Sequence, residues 1–157
     1  MEHLVSLSVE GPFAVNEAAL LWAARAVLGA EVTQTAEMSV VVTDDEMVRG
    51  LNREFRGYDE ATDVLSFGLS ERMKSAAEGE EFFPFPDVPD DLLHLGEVVI
   101  SYPTAERQAA EHNLTLSDEL RHLLIHGALH LLGYDHAEPE EAALMRAREQ
   151  ELLTASA

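Results

Sequence analysis

Residues 126–136 read His-Gly-Ala-Leu-His-Leu-Leu-Gly-Tyr-Asp-His, with histidines at n, n+4 and n+10 and a glycine at n+7. This stretch restricts the chain most tightly. Leu116 to Ile125, just before it, has the pattern of a helix start. Ser117 is the expected N-cap, and Asp118 and Glu119 stand where the positive end of a helix dipole favours acids. On a helix His126 and His130 lie one turn apart, offset by roughly 40° and about 6 Å of rise, so both imidazoles can address one point. Gly133 supplies the left-handed residue that closes a helix C-terminus. The chain then doubles back and brings His136 to the same point.

Three neutral imidazoles suit a borderline cation such as zinc. They fill three corners of a tetrahedron and leave the fourth to water or substrate, as in catalytic rather than structural sites. The spacing equals that of the metzincin peptidases, H-E-x-x-H-x-x-G-x-x-H, but Gly127 stands where those enzymes carry the glutamate base. The metal set is kept and the proton acceptor of a peptidase is missing. His122 lies a further turn back on the same face. A ligand role would need one unbroken helix to aim three residues, spread over about 12 Å, at a single ion. His122 is therefore expected to line the site or support a ligand.

A chain of 157 residues is one domain with room for an ordinary core. It has no cysteine, which excludes disulfides and thiolate metal sites and fits an intracellular setting. The first residues lack the basic and long apolar regions of a signal peptide, and no stretch approaches the ~20 apolar residues of a membrane span. A soluble, cytoplasmic protein is expected. The net charge of −20 argues against attraction of free nucleic acid from a distance. It does not decide what a local cleft can hold.

In chain order, Val5, Leu7 and Val9 alternate with serines as a half-buried strand. Asn16 to Leu28 reads as a helix stopped by Gly29, and Met38 to Thr43 as a central strand. Thr43 or Asp44 caps a second helix running to about Phe55. Its Arg49, Arg53 and Arg56 form one basic stripe, read most simply as a solvated face paired with Asp45 or Glu46. A strand over Thr62–Leu69 opens on polar Thr62 and Asp63. Residues 70–92, rich in acids and proline, read as a surface loop within the domain, with Phe82, Phe83 and Phe85 as its own anchor. Leu95–Ser101 is the fourth strand. Pro103 begins a helix to about His112, and a last helix runs from about Glu138 to Leu153. The order predicts a single α+β domain: a small four-stranded mixed sheet packed against about five helices.

Three blocks resemble one known family, the YbeY endoribonucleases. They are Leu51-Asn-Arg-Glu-Phe-Arg56 with Thr62-Asp-Val-Leu-Ser-Phe67, then Leu95-Gly-Glu-Val-Val-Ile-Ser101, and most specifically the histidine stretch, similar to the family's H-G-x-L-H-L-x-G-Y-D-H at every fixed position. The blocks keep the family's order and span most of the chain, residues 1–30 and 70–92 adding little.

The resemblance implies a zinc-dependent, single-strand-specific endoribonuclease of 16S rRNA 3′-end maturation and ribosome quality control. Carried over by position, His126, His130 and His136 hold one zinc ion per chain, and Arg56 is the cationic residue needed for activity. Thr62, Asp63 and His122 are expected to line the site. Asp135 either orients an imidazole or forms the turn. The expected partners are rRNA and the assembling small ribosomal subunit, with ribosomal proteins or an assembly GTPase beside them, and neither membrane nor DNA. The nucleophile is left open between water and the RNA 2′-hydroxyl. Two other functions fit the same residues: a metal-stabilised, non-catalytic ribosome-assembly factor, and a metal-dependent hydrolase of metzincin-like spacing.

Overall fold

The computed structural model of the chain describes residues 3–68 and 92–156. The expected loop over residues 70–92, with its phenylalanines, lies almost wholly outside them. The elements are β1 (Leu4–Val9), α1 (Glu17–Glu31), β2 (Ala36–Thr43), α2 (Asp45–Arg56), β3 (Val64–Gly68), β4 (Leu93–Ser101), α3 (Tyr102–His112), α4 (Leu116–Leu131) and α5 (Pro139–Ala155). The sheet order is β1-β2-β4-β3; β1 and β4 run parallel to β2, and β3 runs antiparallel to β4. Among the described residues the fold is the α+β domain with a four-stranded mixed sheet and five helices that the sequence predicts.

The sheet is covered on both faces, which follows from the apolar runs in its central strands. Met38, Val40 and Val42 of β2 and Val98 and Ile100 of β4 point to one face, where they meet Leu20, Val27, Leu124, Ala128 and Met145 from α1, α4 and α5. Val99, Leu65 and Phe67 point to the other face and meet Val48, Leu51 and Phe55 of α2. Helix α4 is thus the central helix of the larger layer, in contact with the sheet, α1, α3 and α5.

Local expectations needed four corrections. Thr115, not Ser117, caps α4: its hydroxyl accepts from the Asp118 N–H at 3.1 Å, leaving Ser117 inside the first turn. Helix α1 runs through Gly29 to Glu31 and stops where Val32 turns extended, because Gly29 keeps helical angles and nothing there forces a break. Ser101 caps α3, so Pro103 is its second residue. Arg49 and Arg53 pair with Asp59 beyond the helix, at 2.8 and 3.9 Å, rather than with Asp45 or Glu46. Asp45 is engaged elsewhere, by Ser101 at the end of β4 and by Thr104 and Arg107 on α3.

Candidate metal centre

Helix α4 is anchored by Leu120, Leu123, Leu124, Ile125, Ala128 and Leu129, all buried. His126 and His130 sit on its remaining, half-buried face. Gly127 lies flush on the sheet: its carbonyl accepts from the Ser66 hydroxyl at 2.8 Å, and a Cβ there would stand 2.7 Å from Val98 Cγ1. No side chain fits. The glutamate of a peptidase is excluded from this position by packing.

The helix closes as the sequence predicts. Gly133 takes φ 102°, and its N–H and that of Tyr134 donate to the carbonyls of His130 and Leu129. This turn sets the Tyr134 carbonyl on His130 Nδ1 at 3.0 Å. Asp135 Oδ1 accepts from the His136 N–H at 2.7 Å, so Asp135 forms the turn rather than holding an imidazole. His136 swings in beside the other two rings, with centroids 5.7 Å from His126 and 5.0 Å from His130. Nitrogens of all three rings lie within 4.8 Å of one another, the one such cluster of potential ligands among the described residues.

The hydrogen bonds dictate where the protons are. A carbonyl only accepts, so His130 carries its proton on Nδ1. His126 Nδ1 faces the Glu149 carboxylate at 2.5 Å, which makes it a donor too. With both rings neutral, their Nε2 atoms, 3.1 Å apart, turn lone pairs toward each other. Two such lone pairs repel unless a cation lies between them. A tetrahedral ion with bonds of about 2.0–2.1 Å holds its nitrogens roughly 3.3 Å apart, close to what is seen. The donor set therefore fits a zinc-like ion. Burial, followed by the neighbouring His126 and His136, pushes the His130 pKa down, which keeps that imidazole neutral and able to coordinate.

Glu149, from α5, is the residue that the sequence reading missed. It is 5% exposed and bridges two histidines, Oε1 to His126 and Oε2 to His122 Nε2 at 3.2 Å. Burial pushes its carboxyl upward, but the bonds from His122 and His126 outweigh it and hold the pKa down at about 2. The same bond raises the pKa of His122 against the opposing effect of burial. His122 thus stands beside the triad and engages Glu149. One signal was available: Met145, Glu149 and Leu152 fall at i, i+4 and i+7, so the glutamate interrupts a buried apolar stripe.

Two clefts meet at the histidines. One, of ≈ 670 Å³, is bordered by Arg56, Thr62, Ser66, His130, Tyr134 and Asp135; the other, of ≈ 340 Å³, by His112, Glu119, His122, Arg146 and Glu149. His126, His136 and Asp63 border both. Arg56 comes from the opposite face of the sheet. Its guanidinium donates to the Ser66 carbonyl at 2.6 Å and lies 5.2 Å from the Phe67 ring centre. Thr62 donates to Asp63 at 3.4 Å, and Asp63 accepts from the Val64 N–H at 2.8 Å where β3 begins. All eight residues singled out in the sequence border the clefts. Among the described residues no helix is long and apolar enough to cross a membrane.

The chain is similar to known proteins over nearly its whole length. The sequence profile of the family described as Endoribonuclease YbeY matches residues 12–157. The Endoribonuclease YbeY of Pelotomaculum thermopropionicum is 46% identical over 98% of this chain and 95% of its own length. That of Chloroflexus aggregans is 41% identical over 99% of this chain and 97% of its own length. A Thermotoga maritima protein solved in solution superposes with a TM-score of 0.61 at 25% identity, covering 98% of this chain and 89% of that one. The chain belongs to the endoribonuclease YbeY family.

Proposed function

We propose that this protein is a zinc-dependent, single-strand-specific endoribonuclease that acts in the cytoplasm on the 3′ end of 16S rRNA and in ribosome quality control, using one zinc ion per chain. The observation that carries the reading is the convergence of three imidazoles, with ligand nitrogens within 4.8 Å of one another, in a chain whose relatives are named endoribonucleases. His126, His130 and His136 would hold the ion. A zinc ion bound there supplies polarisation of a phosphodiester oxygen and a lowered pKa for bound water.

The chain's own residues account for the rest. Arg56 borders the same cleft as the triad, where its planar fork suits a phosphate oxygen that gains charge in the transition state. Phe67 and the Ser66 carbonyl hold that guanidinium in place before substrate arrives. Gly127 offers no general base, which favours RNA over peptide as substrate. Asp63 and Thr62 line the cleft, with Asp63 fixing the start of β3. The charge of −20 supports a substrate presented on the assembling small subunit, through ribosomal proteins or an assembly GTPase, rather than RNA captured free in solution.

The test compares wild type, His130→Ala and Arg56→Ala on an rRNA precursor with an immature 3′ end, with chelator and after zinc is restored. Cleavage lost in both variants and with chelator, and recovered with zinc, is the expected result. Equal cleavage in every sample would reveal a contaminating nuclease, to be removed before the comparison is repeated; no cleavage by zinc-loaded wild type, on free precursor or on the assembling subunit, would sink the reading. A 5′-phosphate on the product identifies water as the nucleophile, and a 2′,3′-cyclic phosphate identifies the RNA 2′-hydroxyl. The charge of −20 also favours a second reading, a non-catalytic assembly factor whose metal stabilises the fold. That reading gains if ligand variants cleave nothing yet still rescue subunit assembly.

A further inference from the structure

We infer that Glu149 is the positioning residue that holds His126 in its metal-ready tautomer, with His122 steadying the carboxylate from the other side. The inference rests on the metal reading above and adds a residue to it.

The geometry is specific. His122 and His126 are one turn apart on α4, and the Glu149 carboxylate spans that turn with one oxygen to each ring. An anionic acceptor at Nδ1 fixes the proton there and leaves Nε2 bare, and it also sets the ring's rotation. His130 needs no such partner from another helix, because the Gly133 turn supplies the Tyr134 carbonyl. His126 lies in mid-helix, so its Nδ1 acceptor must come from a neighbouring element. Helix α5 provides it. Without Glu149, the His126 proton is free to move to Nε2, where it would point into the triad.

Glu149 is not needed to dock α5. Met145 and Leu152 bury the helix in the core, Arg148 ties it to Glu31 on α1, and Arg121 on α4 bonds the Leu153 carbonyl and Ser156. A buried carboxylate is costly unless it is bonded, and both oxygens of Glu149 are bonded to histidines. Its place on an apolar stripe is therefore explained by the histidines it touches.

The experiment uses Glu149→Met, which fills the same space without an acceptor, and Glu149→Gln, whose amide oxygen can still accept from His126. Zinc affinity is measured by competition with a chelator, thermal stability on zinc-free protein, and the His126 tautomer by ¹⁵N NMR of the zinc-free imidazoles. We expect Glu149→Met to stay folded but melt lower than wild type, to bind zinc roughly 10–100-fold more weakly, and to lose the Nδ1–H form of His126, a change that lost stability alone would not produce. Glu149→Gln should fall between the two. Glu149→Met with wild-type zinc affinity and an unchanged His126 tautomer would overturn the inference. Wild type that takes up no zinc would overturn the metal reading instead, and the tautomer spectra would still decide the role of Glu149.

Discussion

Replacing Gly127 with alanine measures how closely α4 lies on the sheet. An added Cβ would stand 2.7 Å from Val98 Cγ1, 3.1 Å from Ser66 Oγ and 3.2 Å from Val64 Cγ2. Val98 has no room to yield: it is fully buried on β4, between β2 and β3, and a β-branched residue has few rotamers. Overpacking of this kind costs about 1–3 kcal/mol, and the 2.7 Å approach places it near the upper end. Alanine returns about 1 kcal/mol of helix propensity, so the net loss is about 2 kcal/mol. In a chain of 157 residues that lowers Tm by about 4–8 °C. The assay is thermal unfolding of zinc-free protein, so that metal uptake does not enter. Alanine at 127 that melts at or above wild type would refute the flush contact and, with it, the steric reason for the missing glutamate.

Three other outcomes follow from the same structure. Gly133→Ala meets no neighbour within 4 Å, so its cost is the backbone strain of φ 102°, about 1–2 kcal/mol, and by moving the Tyr134 carbonyl it should also weaken zinc binding in a chelator competition. Zinc at about 100 times its Kd should add about 2.7 kcal/mol to wild type and nothing to His136→Ala, read as the Tm shift on adding metal. Burial opposes the ionised Asp45, but bonds from Ser101, Thr104 and Arg107 outweigh it and depress its pKa below 3.8. Its stabilisation is then complete above about pH 3.8 and lost as pH falls through the folded pKa. Urea unfolding should show Asp45→Asn weaker by about 1 kcal/mol at pH 7, a value reduced for an aspartate one-third exposed, with the gap closing in acid. A gap that persists unchanged at low pH would rule out that charge as the cause.

What could be read in advance was local. The spacing of His126, His130 and His136 around Gly133 is helix geometry and a helix stop, both written within eleven residues. The alternation of Val5, Leu7 and Val9 with serines likewise matches the alternating burial of β1. Glu149 was hidden because its partner His126 is 23 residues away and because it sits among Glu140, Glu141 and Glu151, which share its chemistry but not its burial. Arg49 and Arg53 turned to Asp59 because the chain folds back after α2, which helical spacing cannot foresee. Thr115 and Ser117 are both competent caps. The choice went to Thr115, so that α4 begins at Leu116, which packs against the core.

Among the described residues β3 ends the sheet, and an end strand offers open backbone groups to any passing chain. Arg56 occupies one of them, the Ser66 carbonyl, and spreads its charge over Phe67 beside it. The same guanidinium proposed to meet phosphate therefore also covers a backbone acceptor at the edge of the sheet. Arg56→Ala removes the cation and uncovers that carbonyl at once, so its activity is interpretable only on protein shown by light scattering to remain in the wild-type association state.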